Sequence, residues 1–160
     1  MDIAKILGYA LERENEGKRF FTENAGRLQN AAAVGAFKAI AAEEQKHIDF
    51  ITAQIAALTS GVPAGVPELP RAGFFADRAF SESIEQTVSE SMVSDLPVLR
   101  MAYLIERDFA EFYGMAARNA DGDAKKVLEM LYRWESGHER LFKRLHDSLF
   151  EKYAEMPWGG

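Results

Sequence analysis

The sequence predicts an all-α protein, a single four-helix bundle in which a long crossover joins two antiparallel helical hairpins. Three observations favour this fold class. Apolar residues recur every three or four positions in four long segments, without the alternation that is typical of strands. Glycine and proline concentrate in one internal stretch, 60–73, and in the tail, 156–160. A length of 160 residues is sufficient for one domain, 1–155, with its own hydrophobic core.

The first half of the chain predicts a hairpin of two helices, over about 2–29 and 31–59, with a turn near Gln29–Ala33. The predicted inward stripe of the first helix is Ile3, Leu7, Ala10, Glu14, Gly17, Phe21, Ala25 and Leu28. That of the second helix is Val34, Phe37, Ala41, Glu44, Ile48, Ile51, Ile55 and Leu58. Both stripes follow the helical period, so the two helices are expected to pack through them.

The crossover is predicted to span 60–93. Its glycine- and proline-rich beginning, "SGVPAGVPELPRAG", indicates a long loop. The segment "SESIEQTVSESM", residues 81–92, predicts a short extra helix with Ser81 as its N-cap. The tail "MPWGG" is expected to be flexible, and neither its Trp158 nor the loop 60–80 has a role that the sequence defines.

The second half predicts another hairpin, with helices over about 94–119 and 122–152 separated by "NADGDA". Pro97 falls in the first turn of the third helix, where proline is tolerated. The inward stripe of the third helix is Leu99, Ala102, Glu106, Phe109, Tyr113 and Ala116. That of the fourth helix is Ala124, Leu128, Leu131, Glu135, His138, Phe142, Leu145 and Leu149.

Each apolar stripe contains one glutamate: Glu14, Glu44, Glu106 and Glu135. An isolated buried carboxylate is very unfavourable, so it must be neutralised, paired or bound to a metal. For any single glutamate, a position at the helix edge beside Arg or Lys is an equally good interpretation. A glutamate that interrupts the apolar stripe in each of four helices favours a common cause.

Two of these glutamates are followed three positions later by a histidine, in "EEQKH" (Glu44 and His47) and "ESGH" (Glu135 and His138). Residues i and i+3 share a helix face, so both side chains of a pair can reach one ion. His146 has no glutamate at that offset and is expected to be an ordinary surface histidine. The glutamates have nearly equal spacing in the two hairpins, which predicts all six side chains at one level of the core.

Charge supports a metal site, since four carboxylates would be neutralised by two divalent cations and would repel one another without them. Tyr113 shares the inward stripe of Glu106. Three interpretations stay open: a hydrogen bond near a metal ligand, a redox-active phenol, or an ordinary buried tyrosine with a satisfied hydroxyl.

Cysteine is absent from the sequence, so thiolate catalysis and cysteine-ligated metals are excluded for these residues. Any metal must be held by oxygen and imidazole nitrogen.

A formal net charge of -6 argues against nucleic acid and anionic membranes as partners, because both require a basic surface. No apolar run approaches the roughly 20 residues that span a bilayer. The N-terminal "MDIAKILGYALEREN" acquires charges too early for a signal peptide. We therefore expect a cytoplasmic protein.

Four motifs, "ERENEGKRFF", "EEQKH", "IERDFAEFY" and "ESGHE", are similar to those of the rubrerythrin-like branch of the ferritin-like diiron carboxylate superfamily. The resemblance covers about 3–150 and implies a ferritin-like bundle. It implies Glu14 and His47 as terminal ligands of one metal ion, and Glu106 and His138 as those of a second. Glu44 and Glu135 would bridge both ions and act catalytically through them, and Tyr113 would lie just outside the ligands.

The resemblance further implies iron, with manganese or zinc as alternatives, and a diiron oxidoreductase that reacts with peroxide or dioxygen, or oxidises ferrous iron, in oxidative-stress defence or iron homeostasis. Unlike classical rubrerythrins, the chain has no rubredoxin module, so the electron donor is expected to be a separate protein. It also has Phe109 where those proteins have an extra glutamate, and Phe21 where tyrosine is frequent. A homodimer is expected. The alternatives are an iron-storage or buffering subunit of a larger assembly and a structural helical domain with a vestigial site.

Overall fold

The computed structural model of the protein describes residues 2–61 and 90–157. These residues form four long helices, and the described ranges contain no strand. The helices are α1 (Ile3–Ala25), α2 (Ala31–Ser60), α3 (Asp95–Arg118) and α4 (Gly122–Ala154), with a 3-10 helix, Glu90–Ser94, directly before α3. The most extensive packing joins α1 to α2 and α3 to α4. The predicted all-α bundle of two hairpins is confirmed.

The helix ends have local causes in the sequence. Asp2 caps α1 by accepting a hydrogen bond from the Lys5 amide, and Asn30 caps α2 by accepting one from the Ala33 amide. Gly61 ends α2 with a φ of 70°, a left-handed conformation that glycine adopts without steric cost. These short polar and glycine residues define where the apolar stripes stop.

The turn between α1 and α2 lies earlier than predicted, because α1 ends at Ala25 rather than near residue 29. A buried carboxylate from the start of α3 shapes this turn. The Gln29 amide donates to both Asp95 carboxylate oxygens at 3.0 and 2.9 Å, and the Asn30 amide donates to one of them at 2.7 Å. Asp95 thus supplies acceptors to a turn from the other hairpin.

The hydrophobic core consists of two layers, which lie on either side of the four glutamates along every helix. One layer is centred on the rings of Phe21, Phe37 and Phe142, whose centroids are 5.1 to 5.3 Å apart. The other layer includes Leu7, Phe50, Ile51, Tyr113, Leu128 and Leu131. The level between the two layers is therefore enclosed by apolar side chains at both ends.

Part of the predicted crossover, the loop 60–80 beyond Gly61, lies outside the described residues, as does Trp158. So does the short helix predicted over 81–92, except for its last three positions, which belong to the 3-10 helix. Among the described helices, none combines the length and the apolarity that crossing a membrane requires.

Candidate metal centre

The level between the two apolar layers contains six buried polar side chains, contributed by all four helices. The four carboxylates are fully buried, and His47 and His138 are 3% and 1% exposed. The set is Glu14 of α1, Glu44 and His47 of α2, Glu106 of α3, and Glu135 and His138 of α4. These are the six residues that the sequence placed at one level.

The six side chains form two overlapping groups, each with a geometry that could hold a metal ion. One group is Glu14, Glu44, His47 and Glu135, and the other is Glu44, Glu106, Glu135 and His138. In each group the potential ligand atoms lie within 4.8 Å of one another. Glu44 and Glu135 belong to both groups, in the arrangement expected of bridging ligands. Their role as ligands stays a prediction.

The shared carboxylates present one oxygen to each imidazole. Glu44 places Oε2 at 3.7 Å from His47 Nδ1 and Oε1 at 3.2 Å from His138 Nδ1. Glu135 places Oε1 at 3.0 Å from His47 Nδ1 and Oε2 at 3.3 Å from His138 Nδ1. Each carboxylate therefore extends between the two groups, as a carboxylate that binds two ions must.

Hydrogen bonding leaves much of this cluster unsatisfied. Both carboxylate oxygens of Glu44, Glu106 and Glu135 are buried without a hydrogen-bond partner, and so is His138 Nδ1. Several of these atoms lie within about 3 to 4 Å of one another, but the donor and acceptor directions do not align. Buried polar atoms without partners are costly, and cations between them would satisfy these lone pairs. The donor set of oxygen and imidazole nitrogen suits iron, manganese or zinc.

The pKa shifts of the buried carboxyls also favour a bound cation. Burial, reinforced by the charges of Glu135 and Glu44, raises the pKa of Glu14 well above its ordinary value. Burial also raises the pKa of Glu106, although His138 opposes this shift. Burial opposes ionisation of Glu44 as well, but the neighbouring imidazoles outweigh it and lower the pKa of that carboxyl.

The neighbouring carboxylates raise the pKa values of both histidines. Burial disfavours the charged imidazole of His47, but the negative charges of Glu135 and Glu44 prevail and raise its pKa. His138 responds likewise, with Glu106 as the largest opposing charge. Without metal the cluster thus neutralises itself by keeping protons, and a bound cation would have to displace them.

Three further side chains contact the six. The Tyr113 hydroxyl donates a hydrogen bond to Glu14 Oε1, so Tyr113 lies beside the predicted ligands. Glu43 Oε2 is 2.8 Å from His138 Nε2, the ring nitrogen that faces away from the cluster. Trp134 stacks on the His47 ring, with centroids 4.8 Å apart and planes 9° from parallel.

Local sequence patterns do not predict the contacts of Glu43 with His138 and of Trp134 with His47. Glu43 precedes Glu44 in the motif "EEQKH", so an acidic neighbour was visible, but its partner is 95 residues away on α4. His146 lies outside the cluster, half-buried, with its Nδ1 at 3.0 Å from Asp147.

The bundle and this buried cluster define a class of protein, the four-helix proteins whose carboxylates and imidazoles converge on a site that fits metal ions. The Rubrerythrin family model matches residues 5–146, which is most of the chain. The protein therefore belongs to the rubrerythrin family, whose members bind a diiron or other metal centre. Searches of curated proteins and of solved structures gave no match.

Proposed function

We propose that the protein is a diiron carboxylate oxidoreductase that reacts with peroxide or dioxygen, or oxidises ferrous iron. The observation that carries this proposal is the position of Glu44 and Glu135, each with one oxygen toward each imidazole. Two ligand groups that share both carboxylates would hold two ions close enough to act on one small substrate.

Glu14 and His47 would hold one iron ion and Glu106 and His138 the other, and Glu44 and Glu135 would serve both. When bound, the ions would supply reversible electron transfer to an oxygen–oxygen bond. The chain's own contribution is positional. Glu43 accepts the Nε2 proton of His138, which leaves the Nδ1 lone pair directed into the site.

The surroundings suit redox chemistry that must be separated from water. The two apolar layers close both ends of the site, so charges within it interact in a medium of low polarity. For a reductase reaction, we propose that electrons come from a separate donor protein. Oxidative-stress defence and iron homeostasis are the roles that such chemistry serves.

Metal analysis after anaerobic loading with Fe(II) tests the proposal, together with anomalous scattering at the iron edge to locate the ions. We expect two iron ions per chain, bound at the two ligand groups, and an optical change when peroxide or dioxygen is added. Less than one ion per chain, or no optical response to either oxidant, would contradict it. Preferential retention of zinc or manganese from a mixture would assign the site to that metal instead.

A matched pair of variants makes the experiment specific. Glu135→Ala removes a shared ligand and should abolish loading of both ions, whereas Glu129→Ala removes an exposed carboxylate from the same helix and should change nothing. Sizing of the loaded protein separates catalysis from storage, since a mineral core requires an assembly with an interior. Equal loading of the two variants would show that metal binds elsewhere.

A further inference from the structure

A groove of about 390 Å³ lies on the outside of the bundle between α1 and α3. Its floor is largely aromatic and includes Phe20, Phe109 and Phe112. Its rim has two arginines and two acidic residues, Arg13, Arg19, Glu16 and Asp108. The opposite charges balance, and Arg13 pairs with Glu16 at 3.1 Å, so the groove has no net charge to select an ion. Its chemistry suits a small uncharged molecule.

The lining of this groove includes Gly17, which lies next to the candidate metal centre. Gly17 is buried on α1, one turn after Glu14, and Phe109 follows Glu106 by one turn on α3. A Cβ atom added to Gly17 would lie 3.0 Å from Phe109 Cε2 and 3.7 Å from Glu44 Oε2. The same point thus touches the floor of the groove and a shared carboxylate.

The Phe109 ring lies between solvent and the centre at this point. It is 8% exposed, so part of the ring faces the groove while the rest is in the core. The absence of a side chain at Gly17 provides the space in which the ring edge packs. A modest displacement of this ring would connect the groove with Glu44.

Among the described residues, packed side chains also cover other directions into the site. The two apolar layers close the bundle at both ends, with Phe21, Phe37 and Phe142 fully buried in one of them. On the α2 and α4 side, Trp134 stacks flat on His47. Between α1 and α3, among the residues that the structure describes, the Phe109 ring covers Gly17, where the backbone carries no side chain.

Building on the proposed diiron function, we propose that this groove is the entrance for the small uncharged oxidant. Phe109, packed on Gly17, is the specificity-determining residue that closes this entrance. The aromatic floor concentrates a neutral molecule beside the site, and the ring excludes bulk water and larger solutes between passages. Hydrogen peroxide and dioxygen both meet these requirements of size and charge.

Nitric oxide is a suitable probe, because it is small and neutral and its binding to ferrous protein is followed by absorbance without turnover. Stopped-flow mixing with the Fe(II)-loaded full chain gives the association rate. Phe109→Ala should increase this rate roughly tenfold, since it removes the side chain that gates the site. Gly17→Ala should decrease it severalfold, because the added methyl group occupies the gap between Phe109 and Glu44 even when the ring shifts by a few tenths of an ångström to admit it.

Two controls separate gating from general changes in the helices. Gly114→Ala also places a methyl group against an aromatic ring, at 3.3 Å from Tyr132, but on the other side of α3, away from the centre. Phe37→Ala removes a fully buried ring from an apolar layer and controls for a loosened core. Gly114→Ala should not show the slower association of nitric oxide expected for Gly17→Ala. Phe37→Ala should not show the faster association expected for Phe109→Ala.

Unchanged rates in both Phe109→Ala and Gly17→Ala, or equal changes in the controls, would overturn the inference. If Phe109→Ala does not fold, a wild-type rate in Gly17→Ala alone would overturn it, and a slower rate would support it. Iron content is measured first on every sample. If the wild-type chain takes up no iron, the proposed function is contradicted. If all variants load iron normally but bind nitric oxide at the wild-type rate, only the proposed entrance is contradicted.

Discussion

At the scale of single residues, the two imidazoles of the site differ in how they are held. His138 has a carboxylate partner on its outward nitrogen, Glu43 at 2.8 Å, while His47 is covered by the flat face of Trp134. An outer carboxylate fixes the tautomer and orientation of a ligand histidine and increases its basicity. The ion predicted at His138 should therefore depend on a residue that does not touch it.

We expect Glu43→Ala to weaken binding of the metal ion next to His138 by about tenfold, because the imidazole loses the partner that orients it. Titration of Co(II) against a competing chelator measures this loss. Glu43→Gln should recover part of the affinity, since its amide oxygen still accepts the Nε2 proton. An affinity of Glu43→Ala equal to that of Glu129→Ala, which alters an exposed residue on α4, would contradict the prediction.

At the scale of elements, the α1–α2 turn is stabilised from outside its own hairpin. Asp95, 1% exposed at the start of α3, accepts hydrogen bonds from the amides of Gln29 and Asn30. This contact joins the two hairpins at one end of the bundle. It therefore helps to set the register in which the two halves of the site meet.

Asp95→Ala should reduce the free energy of unfolding by about 2 kcal/mol, because it leaves two amides without their charged acceptor. Denaturant unfolding of the metal-free protein measures this change. Asp95→Asn keeps one acceptor oxygen and should cost less than the alanine variant, and Asp108→Ala, an exposed change on the same helix, should have little effect. A similar midpoint for Asp95→Ala and Asp108→Ala would argue against the role of this contact.

The sequence was sufficient for the helices and for the six polar residues, because both follow from local spacing. A helical period places the glutamates on the inward stripes, and the i, i+3 offset joins Glu44 to His47. Contacts between distant segments left no such signal. The Asp95 hydrogen bonds join residues 65 and 66 positions apart, so local spacing does not predict the contact that shapes this turn.

The contacts around the site also join distant segments, so local spacing does not predict them. Gly17 appeared in the predicted stripe only as a small residue, and its role depends on Phe109, which reaches it from another helix. The contact between Glu43 and His138 requires the two hairpins to be docked in their final register. Periodicity identifies which residues face inward, but tertiary packing determines which of them meet.

At the scale of the whole molecule, metal and protons compete for one buried cluster. The pKa values of Glu14, Glu106, His47 and His138 are all raised above their ordinary values, so these groups bind protons more tightly in the folded chain than in the unfolded one. Their contribution to stability is complete at low pH and is lost as pH rises through the raised values. Glu44 and Glu135 have lowered pKa values and act oppositely, but only in acid below 4.5.

The Tm of the metal-free protein should therefore fall as pH rises from about 6 to about 9, because the folded state retains protons that the unfolded chain releases. A bound cation replaces those protons, so the increase in Tm on adding metal should grow over the same range. Thermal unfolding with and without Co(II) at several pH values measures both trends. A metal-free Tm that rises over this interval, or a metal effect that shrinks, would be inconsistent with the buried cluster.

The stacking of Trp134 on His47 also gives the chain an intrinsic optical label. Trp134 is one of two tryptophans, so Trp158→Phe leaves it as the sole indole emitter. With 4.8 Å between the two ring centroids, excited-state quenching by an open-shell cation on His47 would be efficient. Fluorescence of this variant would then report binding of an open-shell cation at the centre in real time.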